Sequence, residues 1–479
     1  MSKQEGITVK KNEDAAEWYQ QVVLKAEFAD YSPVKGSIVY RHWGYEIWEN
    51  IQKYWDPMMK EHGVKNYYFP LLIPEALLKK EADHFEGFTP EVAWVTMAGD
   101  KQLDERLAVR PTSETIMYYM FSKWISSHRD LPLLTNQWCN VLRWETKMTK
   151  PFLRGREFLW HEAHTVHKTR DGAYKEAEWG LEGYRQVCEE LLAIPVIGGR
   201  KTDSDRFPGA ETTLAVEGLM PDGKALQMGT SHLLSQKFAE TYGIKFLGLD
   251  EKWHHPWQTS WGTSTRMIGG LILAHGDDKG AVIPPRVAPV QVVIVPILFK
   301  GKESGVVTVC QEIETKLKSA GVRVEFDSRD GYTAGWKFNH WELKGVPLRI
   351  EIGPRDIEEK NAVVVRRDDG KKLTIPQKGL ETKIKKELDA LQVRLFEKLK
   401  KFLDENTVAA KTLDELKTAV NSGKWATISH CGQEECEKAI EEKVEGGPRV
   451  IPFDQPKTLG KCAGCSKDAK YALYWGKSY

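Results

Sequence analysis

Apolar positions recur along this chain in two rhythms, and the changes between them divide it. Trp43, Ile47, Trp48, Ile51, Trp55 and Met58 return every three or four residues, which predicts an amphipathic helix. Gly63 follows, and Tyr67 to Ile73 then read as a strand, with Pro70 arguing for an edge or interface position. Ala177, Leu181, Tyr184, Cys188, Leu191 and Leu192 form a second helical stripe. Pro284, Pro285 and Pro289 mark a boundary, after which the pattern changes. Val292 to Ile297 is a buried-strand run, Val306, Cys310, Ile313 and Leu317 make a helix face, and Val322, Val324 and Phe326 alternate as a strand. Strands follow at 348–352 and 362–366, then a long helix through Ile384, Leu388, Leu391, Leu395 and Leu399. Strand–helix–strand alternation of this length predicts a small open α/β domain.

The chain has 479 residues, enough for about three domains. Its 41% hydrophobic content and 17 tryptophans suit a globular chain with a large core, and exclude disorder as the dominant state. The longest apolar stretch, around Val290 to Phe299, is broken by Gln291 and Pro296, so no membrane span is expected. Met1 to Lys11 is charged, without the apolar segment of a secretory signal. A net charge of +1 selects no partner, so any nucleic acid must meet a local basic face. Lys383, Lys385, Lys386, Lys398, Lys400 and Lys401 flank the long helix and read first as a solvated face, with phosphate contact as the alternative. Seven cysteines and no signal point to a reducing, cytoplasmic setting.

Candidate chemistry gathers in the first 285 residues. Arg143 and Glu145 are two apart in a stretch, 138–147, that reads as a strand, so they project from one face. After a polar loop ending in Arg154-Gly155-Arg156, a second strand carries Phe158, Trp160, Glu162 and His164 at every second residue. A hairpin would lay the two rows side by side. Each residue alone reads as a surface ion pair or core aromatic; together they suggest a site for a nucleotide and a zwitterion. His161 and His164 are three apart on a strand and face opposite ways, which sets aside a zinc-protease motif. Arg110-Pro111-Thr112-Ser113-Glu114 reads as a helix start capped by Thr112 or Ser113, and Gln227 to His232 as a cap at Thr230 before a helix over 233–241. Trp261 to Arg266 leads into an apolar helix at Met267, and neither a P-loop nor a dinucleotide fingerprint is present. Near the end, Cys431 and Cys436, then Cys462 and Cys465, form two close pairs suited to a closed structural Zn²⁺ site, while Cys139, Cys188 and Cys310 lie apart.

The Arg-x-Glu strand pair, loop, aromatic strand and Gly262-x-x-x-Arg266 helix resemble motifs 2 and 3 of class II aminoacyl-tRNA synthetases, and the helix before Pro70 resembles motif 1, their dimer motif. Arg-Pro-Thr-Ser-Glu, Phe-Leu-Trp-His-Glu-Ala-His and Gly-Thr-Ser-His narrow the resemblance to the prolyl-tRNA synthetase family. Gly476-Lys477-Ser478-Tyr479 and the late cysteines resemble its archaeal and eukaryotic form. The resemblance implies an α/β (α+β) chain: an antiparallel-sheet catalytic domain at 1–285, an α/β anticodon-binding domain at 286–402 and a zinc-binding domain at 403–479. It implies a cytoplasmic homodimer acting on ATP, L-proline and tRNA(Pro).

By the same resemblance, Arg143 and Arg266 are catalytic. Arg143 meets the α-phosphate and the proline carboxylate, Glu145 the adenine amino group and Arg154 the phosphate tail, with Phe158 and Arg266 sandwiching adenine. Gln227 helps hold Mg²⁺ and nucleotide, and Thr230 and Ser264 line the ATP site. Thr112 and Glu114 take the proline nitrogen, while Trp160, Glu162, His164, Phe207, Ser231 and His232 shape its pocket. Phe338, Glu342 and Arg349 fall where the family reads anticodon guanines, and Tyr479 docks toward the catalytic domain. The short span from His167 to Trp261 leaves no room for a cis editing insertion. Alternatives are a class II synthetase for threonine, serine, glycine or histidine, and a non-catalytic tRNA-binding paralogue.

Overall fold

The structure is a computed structural model that describes residues 6–82, 91–299 and 303–479. Helix α1 (Ala15–Lys25) starts where the Asp14 carboxylate accepts from the N–H groups of Ala16 and Glu17. Helix α2 (His42–Glu61) follows the predicted stripe, burying Trp43, Ile47, Trp48, Ile51 and Trp55. Helix α3 (Glu114–Trp124) and strands β1 (Leu133–Leu142) and β2 (Glu157–His167) come next, then helix α4 (Arg170–Gln186). Strands β3 (Ile197–Arg200), β4 (Thr212–Leu219), β5 (Ala225–Ser235) and β6 (Trp257–Ser264) lead into helix α5 (Arg266–His275).

These strands form the central sheet in the order β3-β4-β5-β6-β2-β1, all antiparallel. Lys65–Asn66 adds a short parallel edge beside β1. At the other edge Ile451–Pro452, from the far end of the chain, pairs with β3. That approach requires a glycine: a Cβ on Gly199 would lie 2.3 Å from the Ile451 carbonyl oxygen. Between His167 and Trp257 the described elements are α4 with one π turn, three strands of this sheet, a short helix (Lys237–Tyr242) and a two-stranded ribbon (Phe246–Leu247 with Trp253–His254).

The second region has a mixed five-stranded sheet in which β7 (Val292–Pro296) lies parallel to both Val324–Phe326 and β8 (Leu348–Ile352). Helix α6 (Ala334–Lys344) and the long helix α7 (Leu380–Glu405) belong to it. Its core is continuous with the first region's: the Trp43 and Trp341 rings lie 6.2 Å apart, and the Trp43 indole N–H donates to the Lys344 carbonyl at 3.1 Å. A four-stranded sheet, Thr407–Ala409, Trp425–His430, Tyr471–Gly476 and Gly447–Pro448, closes the chain. No helix of the described residues is long and apolar enough to cross a membrane.

Three expected elements differ. Tyr67 to Leu71 are not strand; only Leu72–Pro74 pairs, because Tyr67 and Phe69 instead donate their N–H groups to the Asn136 carbonyl and the Gln137 side chain. β1 stops at Leu142, so Glu145 sits in a turn and not beside Arg143 on a strand. There Arg156 stacks on Trp144 at 4.4 Å and donates to the Thr146 carbonyl, which bends the chain. Leu233 to Ser235 continue β5, since Leu233 is buried between Thr212 and Thr259; the helix starts only at Lys237, after Ser235 takes φ 59°. Thr230 is thus a strand residue and caps nothing.

Candidate active site

The β1–β2 hairpin registers Gln137 against Glu162 and Cys139 against Trp160, so the row Phe158, Trp160, Glu162, His164 shares one face. Arg143 stands just past the end of β1 but reaches the same row: its guanidinium lies 5.3 Å from the Phe158 ring and 5.4 Å from that of Trp160. Its Nε donates to the Pro111 carbonyl at 3.1 Å, tying it to the 110–114 segment. Burial pushes this guanidinium below its usual pKa, while Glu114, Glu145 and Glu162 pull it back up.

That segment begins α3 without a side-chain cap. The Thr112 hydroxyl donates to the Glu114 carboxylate, and the Ser113 hydroxyl to that of Glu162. Arg110, fully buried, anchors the segment by donating to the Asn140 and Phe69 carbonyls, each at 2.8 Å. Glu162 also accepts from Gln137 at 2.8 Å and from His164 at 3.3 Å. A carboxylate only accepts, so His164 Nε2 carries the hydrogen and, in the neutral ring, Nδ1 accepts from Tyr118 at 2.9 Å. Burial drives the Glu162 carboxyl up, but the bond from His164, the charge that ring carries when protonated, and the bonds from Ser113 and Gln137 outweigh it and hold the group below the usual range.

A cavity of about 440 Å³ is bounded by Thr112, Glu114, Arg143 and the Phe158–His164 row on one side, and by Phe207, Gln227, Thr230 and His232 on the other. The Phe207 and His232 rings lie 4.7 Å apart, and burial pushes the His232 imidazole down to about 3, so it is neutral. A second cavity of about 890 Å³ holds Glu145 and Arg154, and shares Arg143, Phe158, Ser264 and Arg266 with the first. Phe158 and Arg266 thus line the junction. Arg266 is oriented by donating Nε to the Leu153 carbonyl at 3.3 Å and its backbone N–H to Ser264 Oγ at 3.2 Å. Burial, and then Arg143, lower its pKa.

Ser231 is the exception among the expected residues. It shares the sheet face of Gly229, where a Cβ would meet the Tyr184 ring of α4 at 2.7 Å, and it does not border the cavity. Among the bordering residues, Lys201 is not singled out by a reading of the chain, whereas Tyr479 is the residue that the resemblance docks toward the catalytic domain. Lys201 Nζ pairs inside the wall with Glu217 at 2.7 Å and Asp205 at 2.9 Å, and Tyr479 borders the second cavity after its N–H bonds the Ala225 carbonyl at 3.1 Å. Lys201 takes its place from Glu217 on β4, and Tyr479 from a segment more than 250 residues earlier.

Phe338, Glu342 and Arg349 converge in the second region. Arg349 lies 4.2 Å over the Phe338 ring and pairs with Glu351 at 2.9 Å, while Glu342 pairs with Lys279 at 2.9 Å. In the last region Cys436 and Cys462 have sulfurs 3.7 Å apart, and Cys431 and Cys465 3.6 Å apart. Four thiolates at ~2.3 Å around a tetrahedral ion would be about 3.8 Å apart, so the donor set fits Zn²⁺. His430, missed by the spacing, brings a ring nitrogen within 4.8 Å of the sulfurs of Cys431, Cys436 and Cys462.

Comparison with known proteins agrees with this layout. The tRNA synthetase class II core domain (G, H, P, S and T) matches residues 94–275, the anticodon binding domain 291–387, and the prolyl-tRNA synthetase C-terminal domain 413–479. Proline–tRNA ligase 2 of Clostridioides difficile is 49% identical over 471 residues, 98% of this chain and 97% of that one. Proline–tRNA ligase of Alkaliphilus oremlandii is 50% identical over 467 residues, covering 97% and 96%. The crystal structure of prolyl-tRNA synthetase from Cryptosporidium parvum with halofuginone and AMPPNP superposes with a TM-score of 0.95 at 45% identity, covering 99% of this chain and 100% of that one.

Proposed function

The chain belongs to the prolyl-tRNA synthetase family and joins proline to tRNA using ATP, and from that premise we propose how its residues share the reaction. Proline occupies the smaller cavity. Its secondary ammonium has two donors, which suit the Glu114 carboxylate and the Thr112 hydroxyl; its ring lies among Trp160, Phe207 and His232, while Glu162 and His164 support the floor. ATP occupies the junction and the larger cavity, with adenine between Phe158 and Arg266, Glu145 on its amino group and Arg154 on the phosphate tail. Gln227, Thr230 and Ser264 border the nucleotide; Ser231 has no contact role.

Arg143 carries this reading, because of the two guanidiniums common to both cavities, Arg143 and Arg266, it is the one that lies against the Trp160 ring and feels the Glu114 and Glu162 charges. A proline carboxylate oxygen bonds to the α-phosphorus, the bond from that phosphorus to the bridging oxygen breaks, and pyrophosphate leaves. Arg143 orients the carboxylate and neutralises the α-phosphate, so positioning and charge compensation supply most of the acceleration. Mg²⁺, held with the phosphates and Gln227, would add charge neutralisation on the leaving group. A hydroxyl of the terminal tRNA ribose then takes the prolyl group and AMP departs; no side chain is assigned as base.

Residues 286–402 read the anticodon through Phe338, Glu342 and Arg349: a ring to stack a base, an acid for guanine donors and a guanidinium for its acceptors or for phosphate. Residues 403–479 hold a structural Zn²⁺ through Cys431, Cys436, Cys462 and Cys465. The chain acts as a cytoplasmic homodimer through the α2–Pro70 segment, where Tyr45, Tyr68 and Leu71 are exposed. It lacks a cis editing site, so sustained hydrolysis of alanyl-tRNA(Pro) by the purified chain would contradict the assignment. ATP–pyrophosphate exchange with each of the twenty amino acids tests the whole: proline alone should support rapid exchange, and Arg143→Ala should abolish it. Exchange surviving that substitution would remove Arg143 from the centre.

A further inference from the structure

Helix α5 carries Arg266 at its first position and is buried from Met267 to His275. Its ten residues span about 15 Å. Along its sides it is closely packed: Met267, Ile268, Leu271 and Ile272 are fully buried, and a Cβ on Gly269 would lie 2.5 Å from the Leu153 side chain and one on Gly270 3.0 Å from Met228. Its two ends are tied by polar contacts besides this packing. At the start, Ser264 Oγ takes the Arg266 N–H. At the other end the last carbonyls have no partner within the helix and form the negative pole of its dipole.

A residue more than 260 positions away meets that pole. Lys11 Nζ donates to the Leu273 carbonyl at 2.6 Å and the Gly276 carbonyl at 2.8 Å, and its backbone N–H donates to Asp278 Oδ1 at 2.8 Å. Its ammonium lies 4.7 Å from the centre of the Trp18 ring, whose indole N–H donates to the next carbonyl, Asp277. The geometry points to Lys11 as a positioning residue for ATP binding, which caps the far end of α5 and so holds Arg266 at the junction of the two cavities. This rests on the reading of Arg266 as an adenine contact. Lys398, His275, Asp222, Asp277 and Asp278 also act on the ammonium. Burial, then Lys398, push the amine down to about 8 against the pull of the three aspartates, while His275, at about 4, stays neutral there. The cap is charged below about pH 8 and loses its charge above.

Proline-dependent ATP–pyrophosphate exchange tests it. Lys11→Met should raise KM for ATP about three- to tenfold with KM for proline changed less than about twofold, and Lys11→Arg, which still offers two N–H groups and a charge, should restore the parent value. The unsubstituted protein should show the same selective rise in KM for ATP as pH is raised through about 8, and Lys11→Arg should not. The pH comparison serves even if Lys11→Met does not fold. An unchanged KM for ATP, a parallel rise for both substrates, a Lys11→Arg variant that behaves like Lys11→Met, or identical pH profiles would each overturn the assignment. Arg266→Ala separates the two levels: if it leaves KM for ATP unchanged, the reading of Arg266 fails; if it raises KM while the Lys11 variants do not, only the role of Lys11 fails.

Discussion

Ser113 holds the Glu162 carboxylate twice, through its hydroxyl and through its backbone N–H at 3.2 Å, at a site where Glu162 is 2% exposed. The hydroxyl itself accepts from Gln137 at 2.8 Å, so one serine joins the start of α3 to the β1–β2 hairpin. A hydrogen bond to a buried charge is worth ~1.5–3 kcal/mol, and its loss leaves the acceptor short of a donor. Ser113→Ala should therefore raise KM for proline about tenfold or more, with KM for ATP little changed. Exchange kinetics at varied proline check this; a parallel rise in both constants would show that Ser113 supports the fold and not the pocket.

The buried histidines set the acid limit of the fold. His161 Nε2 accepts from the Trp55 indole at 3.1 Å, so its hydrogen is on Nδ1, facing Asn136 Oδ1 at 2.8 Å. Burial pushes this ring down to about 3, and burial pushes His275 down to about 4. Both folded pKa values lie below the ordinary ~6.5, so the unfolded chain binds more protons between those limits. Their contribution is complete above about pH 6.5 and is lost as pH falls from there toward 4. Midpoints of urea unfolding should drop steadily from pH 7 to 5, and His161→Gln should flatten that slope. A parent profile flat over this range would exclude the mechanism.

The Zn²⁺ assignment predicts that Cys462→Ser lowers bound metal, measured by elemental analysis, and destabilises the last region. That effect should reach the catalytic sheet, because Ile451–Pro452 supplies the strand beside β3. Chelation should accordingly expose the 447–461 segment to protease before the central sheet unfolds. Stoichiometric metal retained in Cys462→Ser would count against a four-cysteine site and favour one in which His430 takes the vacated position.

How much of this was legible in the chain follows from how local each signal is. The α2 stripe and the every-second-residue row from Phe158 to His164 depend only on neighbours, and both stand as read. Arg143 and Glu145 do not share a strand face, because Arg156, folded over Trp144 from the far side of the loop, turns the chain first. Leu233 joined β5 because pairing on both sides outweighed a helical pattern. Ser231 falls on the helix side of its strand, which the short Gly-Thr-Ser-His motif does not reveal. Lys201 takes its position from Glu217 on β4, a pairing that no local pattern marks; His430 stands directly before Cys431 but adds nothing to the cysteine spacing; and Tyr479 was legible only through the family resemblance.

The junction between the first two regions contains an asymmetric ion pair. Arg367, whose side chain is 3% exposed, donates to both oxygens of Asp277 at 2.7 and 2.6 Å and through Nε to the Glu342 carbonyl at 2.8 Å. The Asp277 side chain is 42% exposed, so it can be rehydrated if its partner is removed, whereas Arg367 cannot. Removing one partner of a fully buried pair costs ~3–5 kcal/mol, and exposure on one side reduces that. Asp277→Asn should therefore destabilise the chain by about 2 kcal/mol, and Arg367→Met by less, since the methionine keeps much of the packing and leaves no buried charge. The double variant should resemble Arg367→Met alone, which is the coupling expected of a contacting pair. Urea unfolding followed by tryptophan fluorescence measures all three, and a larger loss for Arg367→Met than for Asp277→Asn would mean that the guanidinium finds water where the structure shows it enclosed.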